Sequence, residues 1–177
     1  MRRLTIGEKV FEMSEHDYYS SINNLVQGLY RLSEAYHNYH VSGFADWKGI
    51  FKMPEVGQTE VEKAIVDQID DDELSSAYNS LREQLQEMID LDIYIVKCLA
   101  KYVGLSSIQE KKDKAKLERR LKKIIVHGPD GHPQGPVWAM NQEYQALLER
   151  SKEIMAVMKT TREQIDRKIQ QQLNFEK

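Results

Sequence analysis

Apolar residues recur at alternating spacings of three and four over most of the chain, a pattern that collects side chains on one face of an α-helix. Long rows of this kind predict helices that pack against each other along coiled-coil-like seams. The first row contains Tyr18, Ile22, Leu25, Leu29, Leu32, Tyr36 and Tyr39. The second contains Leu74, Tyr78, Leu81, Leu85, Met88, Asp92, Ile95, Leu99 and Tyr102. The third contains Met140, Tyr144, Leu147, Ser151, Ile154, Met158, Thr161 and Ile165, and continues to Leu173.

Capping residues and helix breakers place the ends of these helices. Ser14 before Asp17 and Thr59 before Glu62 have the spacing of N-terminal capping boxes, and Gly104 has the position of a C-terminal cap. Three of the four prolines fall in one short segment, which no helix can cross. The predicted segments are an N-terminal segment over 1–13, a helix over 14–41, an aromatic connector over 42–58, one or two helices over 59–104, a basic helix over 107–127, a Gly/Pro turn over 128–136 and a long helix over 137–175.

The composition favours one all-α domain over residues 1–177. Leu, Lys, Glu, Gln, Met and Ala are frequent, and these side chains lose little rotamer freedom on a helix. The predicted fold is an elongated helical bundle of four or five helices. A net charge of −3 argues against binding of nucleic acid or anionic lipid over the whole surface. The lone cysteine, Cys98, and the lack of a long apolar run predict an intracellular, cytoplasmic protein without a signal peptide or transmembrane segment.

Residues 91–99 are apolar on nearly all sides of the predicted second long helix. Leu91, Tyr94 and Cys98 fall away from the apolar row, so this part of the helix is expected to be covered on two faces. Asp92 occupies a row position where an apolar residue is due. A carboxylate at such a position is paired, protonated or at an edge, because an unpaired buried charge is costly. We expect the row to shift so that Asp92 lies at its margin.

These patterns favour a non-enzymatic interaction protein, which would be an adaptor, a scaffold or an assembly subunit without a cofactor. The rows are longer than a monomeric bundle of this size needs, so self-association or a partner helix is predicted. The sequence has no glycine-rich phosphate loop of recognised spacing and no serine nucleophile signature. The predicted interaction residues are Phe44, Trp47, Phe51, Leu91, Tyr94, Tyr144, Ile154, Met158 and Ile165.

Acidic residues and histidines raise the alternative of a metal site. Glu83, Glu87 and Asp90 share a helix sector of about 60°, where carboxylates can bind one divalent cation. The simpler interpretation is a solvated outer face opposite the apolar row. His37 and His40 are close enough on a helix to chelate, but a zinc site needs three or four ligands.

A longer acidic pattern suggests an enzyme as the alternative function. Asp67 and Asp70, then Glu87 and Asp90 followed by an apolar helix, a basic helix and a PDG turn, resemble the all-α nucleotide pyrophosphohydrolases of the MazG-like type. In that family two acidic pairs hold magnesium against a nucleoside triphosphate. The resemblance therefore implies Mg²⁺ at these four carboxylates and hydrolysis that releases pyrophosphate.

One local basic patch stands out in the acidic chain. Eight basic residues against Asp113 and Glu118 give this stretch a local net charge of +6. Such a patch can hold phosphates of nucleic acid or of an anionic membrane, or a partner's acidic face, although a solvated helix face is the plainer interpretation. Long helices with basic residues near one end also resemble a BAR-type membrane dimer, which is a second alternative. The patch contains Lys111, Lys112, Lys114, Lys116, Arg119, Arg120, Lys122 and Lys123.

Overall fold

The three longest helices of the protein cover the stretches in which the three apolar rows were predicted. The computed structural model describes residues 1–42, 59–105, 111–121, 126–127, 133–134 and 140–175. Within this part of the chain, five helices pack against each other as an all-α helical bundle, which confirms the predicted fold class. The elements are β1 Arg2–Ile6, β2 Lys9–Met13, α1 Glu15–Val41, α2 Glu60–Asp67, α3 Asp72–Tyr102, α4 Lys111–Leu121, β3 Val126–His127, β4 Pro133–Gln134 and α5 Asn141–Phe175.

The residues group into two compact units. Unit 1 comprises Met1–Ser33, Val56–Gln86 and Met155–Lys177, and unit 2 comprises Glu34–Glu55 and Glu87–Ile154. The helices α1, α3 and α5 each contribute one part to unit 1 and another part to unit 2. The prediction of a single domain over residues 1–177 stays a prediction.

The rows predicted for α3 and α5 are buried. In α3 every row position from Leu74 to Leu99 is at most 2 % exposed, whereas Tyr102 is 54 % exposed. In the row of α5, which begins with Met140 just before the helix, every position up to Ile165 is at most 8 % exposed. Helical periodicity therefore identifies the buried face of both helices.

After Ile22 the row predicted for α1 is displaced by one residue, except at Tyr36, which is buried as predicted. The helix buries Val26, Tyr30, Ser33, Tyr36 and His40, while Leu32 is 37 % exposed. Hydrophobicity alone selects Leu25, Leu29 and Leu32, because it passes over polar residues. The structure instead buries Ser33 and His40, which have polar partners, so the predicted row of α1 is right at Tyr36 and wrong at Leu25, Leu29, Leu32 and Tyr39.

Unit 1 begins with a β-hairpin, where only an N-terminal segment over 1–13 was predicted. β1 and β2 pair antiparallel, with Ile6 opposite Lys9, so Gly7 and Glu8 form a two-residue loop. Gly7 has φ of 63°, a left-handed conformation that tight hairpin loops favour. Leu4 of β1 is 2 % exposed and anchors the hairpin in the core of unit 1.

Polar side chains begin the helices of unit 1 as predicted. The Ser14 hydroxyl accepts the Asp17 N–H at 3.0 Å before α1, and the Thr59 hydroxyl accepts the Glu62 N–H at 3.1 Å before α2. Each acceptor satisfies a backbone donor that has no partner within its helix. The predicted stretch over 59–104 is thus two helices, separated by residues 68–71.

A Schellman motif with a glycine terminates α3. Gly104 has φ of 81°, and its N–H donates to the Lys101 carbonyl at 3.1 Å. The Leu105 N–H donates to the Ala100 carbonyl at 2.8 Å. These are the two hydrogen bonds of the motif, and they confirm the predicted C-cap. Arg120 of α4 adds a bond to the Val103 carbonyl at 2.7 Å.

The basic helix is shorter than predicted. α4 ends at Leu121, and Val126–His127 pairs with Pro133–Gln134 in a short antiparallel ladder. Val126 and His127 therefore belong to a strand pair and not to the helix predicted over 107–127. The predicted aromatic connector, with Phe44, Trp47 and Phe51, lies outside the described residues. None of the helices described here is both long enough and apolar enough to cross a membrane.

Candidate functional site

A buried acid–imidazole pair lies in the core of unit 2. Asp92 of α3 is 2 % exposed and His40 of α1 is fully buried. The distance from His40 Nε2 to Asp92 Oδ1 is 2.5 Å. Asp92 thus lies on the buried row and is paired, so the expectation that it would lie at the margin is wrong. The row keeps its register because His40 supplies the partner that a buried carboxylate requires.

A buried serine of α5 joins the pair to a second histidine. Ser151 Oγ lies 2.8 Å from His40 Nδ1 and 2.8 Å from Nδ1 of the half-buried His37. The Ser151 hydroxyl also lies 3.7 Å from the Met88 sulfur. Four polar side chains from three helices are therefore joined by a continuous series of hydrogen bonds. We call them the His–Ser–Asp cluster, which contains His37, Ser151, His40 and Asp92.

Burial shapes the titration of the His–Ser–Asp cluster. It raises the pKa of Asp92 above its ordinary value, and the hydrogen bond and charge of His40 oppose that rise. Burial, together with His40, lowers the pKa of His37. Burial and the nearby Asp92 carboxylate raise the pKa of Tyr36 to about 12. The environment thus disfavours an additional net charge of either sign in this core.

The cluster has the residue types of a serine hydrolase triad but not its accessibility. A catalytic serine must reach a substrate carbonyl, with its base and orienting acid in hydrogen-bond contact. Ser151 and His40 are both fully buried, so the Ser151 hydroxyl is closed to a substrate in this structure. The arrangement is suited to holding and moving protons within the core.

The outer side of α3 in unit 2 presents a different kind of surface. Tyr94 is 45 % exposed and Tyr102 is 54 % exposed. Cys98 lies between them, is partly buried and packs against the core of unit 2, as does Leu91. A hydrogen bond to Cys98 raises the pKa of Tyr94. Residues four apart lie on one helix face, so Tyr94, Cys98 and Tyr102 form one strip, which we call the tyrosine strip.

The predicted interaction residues divide between surface and core. Leu91 and Tyr94 lie on or beside the tyrosine strip. Tyr144, Ile154, Met158 and Ile165 are at most 2 % exposed within their own chain. The last four are core residues of this structure, because packing within the chain already covers the side chains that were predicted to contact a partner.

The carboxylates implied by the pyrophosphohydrolase resemblance lie in different units. Asp67 is the last residue of α2, and Asp70 lies 3.4 Å from Arg2; both are exposed and belong to unit 1. Glu87 and Asp90 are exposed on α3 in unit 2, and Glu87 forms an ion pair with Arg150. In the described part of the chain, no three His, Cys, Asp or Glu side chains are arranged to hold a metal ion.

The basic patch is described only in part. The exposed members on α4 are Lys112, Lys116 and Arg119. The Arg120 side chain donates to the Val103 carbonyl just after α3. The other members are Lys111, Lys114, Lys122 and Lys123, and their side chains lie outside the described residues. The visible part is a charged outer face on a helix whose Leu117 and Leu121 enter the core of unit 2.

Comparisons of this chain with protein-family models, with curated proteins and with solved structures found no match. The resemblance to the MazG-like enzymes and to the BAR-type dimers therefore stays a prediction.

Proposed function

We propose that this protein is a helical interaction protein that self-associates through the tyrosine strip of α3, as an assembly subunit or scaffold. The observation that carries the proposal is the exposure of two large aromatic side chains, Tyr94 and Tyr102, on one face of one helix. Tyrosines bury much area at low entropic cost and are enriched at the centres of protein interfaces. Their positions agree with the sequence, which is apolar on two sides of this helix.

The spacing within the strip favours a second copy of the same chain as the partner. Tyr94 lies four residues before Cys98, and Tyr102 lies four residues after it. Two such helices related by a two-fold axis at Cys98 would run antiparallel and place Tyr94 against Tyr102 of the second copy. A two-fold interface needs this self-complementary arrangement, in which residue i contacts residue j and the reverse.

Cys98 makes a direct test possible because it is the one cysteine in the sequence. A disulfide forms without backbone movement only where the two Cα atoms lie within roughly 7 Å. Under a mild oxidant we expect rapid formation of a covalent dimer through Cys98. The double variant Tyr94→Ser with Tyr102→Ser should lose most of this cross-linking.

Ile93 provides the matched control for the cross-linking experiment. It is 48 % exposed on the same helix but lies about 100° around the helix from Tyr94. Ile93→Ser should cross-link like the wild type. Equal cross-linking by the Ile93 variant and the double tyrosine variant, or none in the wild type, would refute the tyrosine strip as a dimer interface. If a different bound protein protects the Cys98 thiol from oxidation, the partner of the tyrosine strip is that protein and not a second copy of this chain.

A further inference from the structure

We propose that the His–Ser–Asp cluster is a proton-binding relay, in which the Ser151 hydroxyl and two imidazoles carry one proton between solvent and the buried Asp92. The relay is independent of the tyrosine strip and of self-association. It gives the core of unit 2 two hydrogen-bonded states that differ by a single proton.

The contacts form an unbroken row from the edge of the core to its interior. His37 is half-buried, whereas Ser151, His40 and Asp92 are at most 2 % exposed. The successive distances are 2.8 Å from His37 Nδ1 to Ser151 Oγ, 2.8 Å from Ser151 Oγ to His40 Nδ1, and 2.5 Å from His40 Nε2 to Asp92 Oδ1. Each link is within hydrogen-bond length, so each can transfer a proton without movement of the backbone.

The first state has an ionised Asp92. The His37 Nδ1–H donates to Ser151 Oγ, the Ser151 O–H donates to His40 Nδ1, and the His40 Nε2–H donates to the Asp92 carboxylate. Every donor in the cluster has an acceptor. A hydroxyl can accept and donate at once, and a neutral imidazole donates from one ring nitrogen and accepts at the other. The cluster then carries one negative charge.

The second state follows when one proton enters from water at Nε2 of His37. The Nδ1 proton of His37 passes to Ser151 Oγ, the hydroxyl proton passes to His40 Nδ1, and the His40 Nε2 proton passes to Asp92 Oδ1. One proton has entered and one is bound at Asp92, so the protons balance. All three hydrogen bonds remain, each with its donor and acceptor exchanged.

The surroundings favour uptake of that proton. Among the described residues, Asp92 Oδ2 has no hydrogen-bond partner, so the ionised carboxylate is incompletely satisfied. Burial, which raises the pKa of Asp92, acts in the same direction. The described groups around the row are Tyr36, His37 and His40 from α1, Met88 and Asp92 from α3, and Ser151 and Tyr144 from α5; the Tyr144 hydroxyl donates to the His40 carbonyl at 2.6 Å.

Magnetic resonance titration of the wild-type chain tests the relay directly. We expect the carboxyl carbon of Asp92 to titrate above the ordinary range of aspartate, and the His37 and His40 ring nitrogens to report the same event. A tautomer exchange at both rings should accompany protonation of Asp92. Titration of Asp92 at the ordinary aspartate pKa, with both rings insensitive to it, would overturn the proposal.

Variants test whether the serine hydroxyl carries the coupling. Asp92→Asn should change the acid dissociation constant of His37 by roughly threefold or more in the wild-type background, and much less in a Ser151→Ala background. The control is Ser33→Ala, since Ser33 is also buried on a long helix but its hydroxyl donates to the Leu29 carbonyl of its own helix at 3.0 Å.

The coupling should survive in the Ser33→Ala background. An equal effect of Asp92→Asn on His37 with and without the Ser151 hydroxyl would show that only through-space charge connects them, and the relay would be rejected. If Ser151→Ala or Asp92→Asn fails to fold, the titration of the wild-type chain alone decides the question.

Discussion

At the scale of single residues, Asp92 makes the stability of the protein depend on pH. Burial raises its pKa from an ordinary value of 3.8, against the opposing effect of His40. A carboxyl group with a higher pKa in the folded chain stabilises the fold fully below its unfolded pKa. That contribution is lost as pH rises through the folded pKa, by at most about 1.4 kcal/mol per pH unit for one proton.

The variant Asp92→Asn removes the titrating group and keeps a polar side chain of the same size. As pH rises from the ordinary aspartate value of 3.8 through the raised pKa of the folded chain, we expect the unfolding free energy of the wild type to fall relative to that of the variant. Urea unfolding at a series of pH values measures both. Parallel curves for the two proteins would contradict a raised pKa at Asp92.

The contribution of His37 to stability changes with pH in the opposite direction, so His37 serves as the control for this measurement. Burial, with His40, lowers its pKa from 6.5, so its contribution is present above about pH 6.5 and is lost as pH falls through the folded value. As pH falls, the unfolding free energy of His37→Gln should therefore rise relative to that of the wild type. Over the same change of pH, the unfolding free energy of Asp92→Asn should fall relative to that of the wild type.

Leu85 and Glu87 lie two residues apart on α3, and we expect their substitution to lower the unfolding free energy by very different amounts. Leu85 is 1 % exposed, so Leu85→Ala should destabilise the fold by about 2–5 kcal/mol. Glu87 is exposed and forms an ion pair with an exposed Arg150, so Glu87→Gln should change stability by about 0.5 kcal/mol or less. Chemical unfolding of both variants checks the pair of values.

The same Glu87 variant tests the magnesium alternative. On the interaction hypothesis, Mg²⁺ with a nucleoside triphosphate should not stabilise the wild type, Glu87→Gln or Asp90→Asn. Stabilisation of the wild type alone, together with release of pyrophosphate, would favour the pyrophosphohydrolase.

The polar residues of the His–Ser–Asp cluster show what sequence patterns could and could not predict. Asp92 and Ser151 each occupy a predicted row position, and His40 lies one residue beyond the predicted row position Tyr39. A buried polar residue needs a partner, so Asp92 and Ser151, each on a predicted row, could have been predicted to have polar partners in the core. Which residues those partners are could not be predicted, because 52 residues separate His40 from Asp92 and only the packing of the helices sets their distance.

At the scale of elements, Arg2 attaches the N-terminal hairpin to the helices of unit 1. Its side chain is 16 % exposed, donates to Glu15 at 2.8 Å and to the Gln68 carbonyl at 3.1 Å, and lies 4.4 Å from the Tyr18 ring centroid. A partly buried guanidinium with several partners contributes more than a surface ion pair. The hairpin is therefore part of the folded unit.

Arg2 and Arg3 provide a matched pair of substitutions in one strand. Arg2→Ala should cost about 1–3 kcal/mol, because it removes the cation–π contact and leaves Glu15 without its partner. Arg3 is 76 % exposed and pairs with an exposed Glu12, so Arg3→Ala should cost about 0.5 kcal/mol or less. Similar losses in thermal unfolding would contradict the role assigned to Arg2.

Two glycines should respond to the same substitution with opposite signs. Gly104 has φ of 81°, so Gly104→Ala should destabilise the protein by about 1–2 kcal/mol; the added Cβ would make only ordinary contact, 3.6 Å from Arg120. Gly28 lies inside α1, and a Cβ there meets no atom within 4 Å. Gly28→Ala should therefore stabilise the protein by about 0.5–1 kcal/mol. Urea midpoints that move in the same direction would contradict this.

The elements differ in how far sequence predicted them. Rows in α3 and α5 are nearly continuous in large apolar residues, and helical periodicity located their buried faces. In α1, the row was misplaced by one residue at Leu25, Leu29, Leu32 and Tyr39, whereas Tyr36 was placed correctly. The hairpin was missed because its strands are short and β2 is exposed, although Thr5, Ile6 and Val10 around Gly7 have the composition of a tight hairpin.

At the scale of the whole molecule, self-association would link stability to protein concentration. Assembly that binds folded chains and not unfolded chains raises the melting temperature as concentration rises. For a dimer of chains of this length, a hundredfold increase from about 1 µM to about 100 µM should raise Tm by roughly 3–5 °C. A monomer has no such dependence.

The double variant Tyr94→Ser with Tyr102→Ser separates this effect from the stability of the fold. Both tyrosines are about half exposed in the single chain, so their loss should change the unfolding of a dilute sample little. The rise of Tm with concentration should disappear, and light scattering at about 100 µM should give the mass of one chain for the variant and of two for the wild type. Ile93→Ser should keep both properties of the wild type. A wild-type chain that scatters as a monomer at this concentration, with a constant Tm, would leave the tyrosine strip without the partner proposed for it.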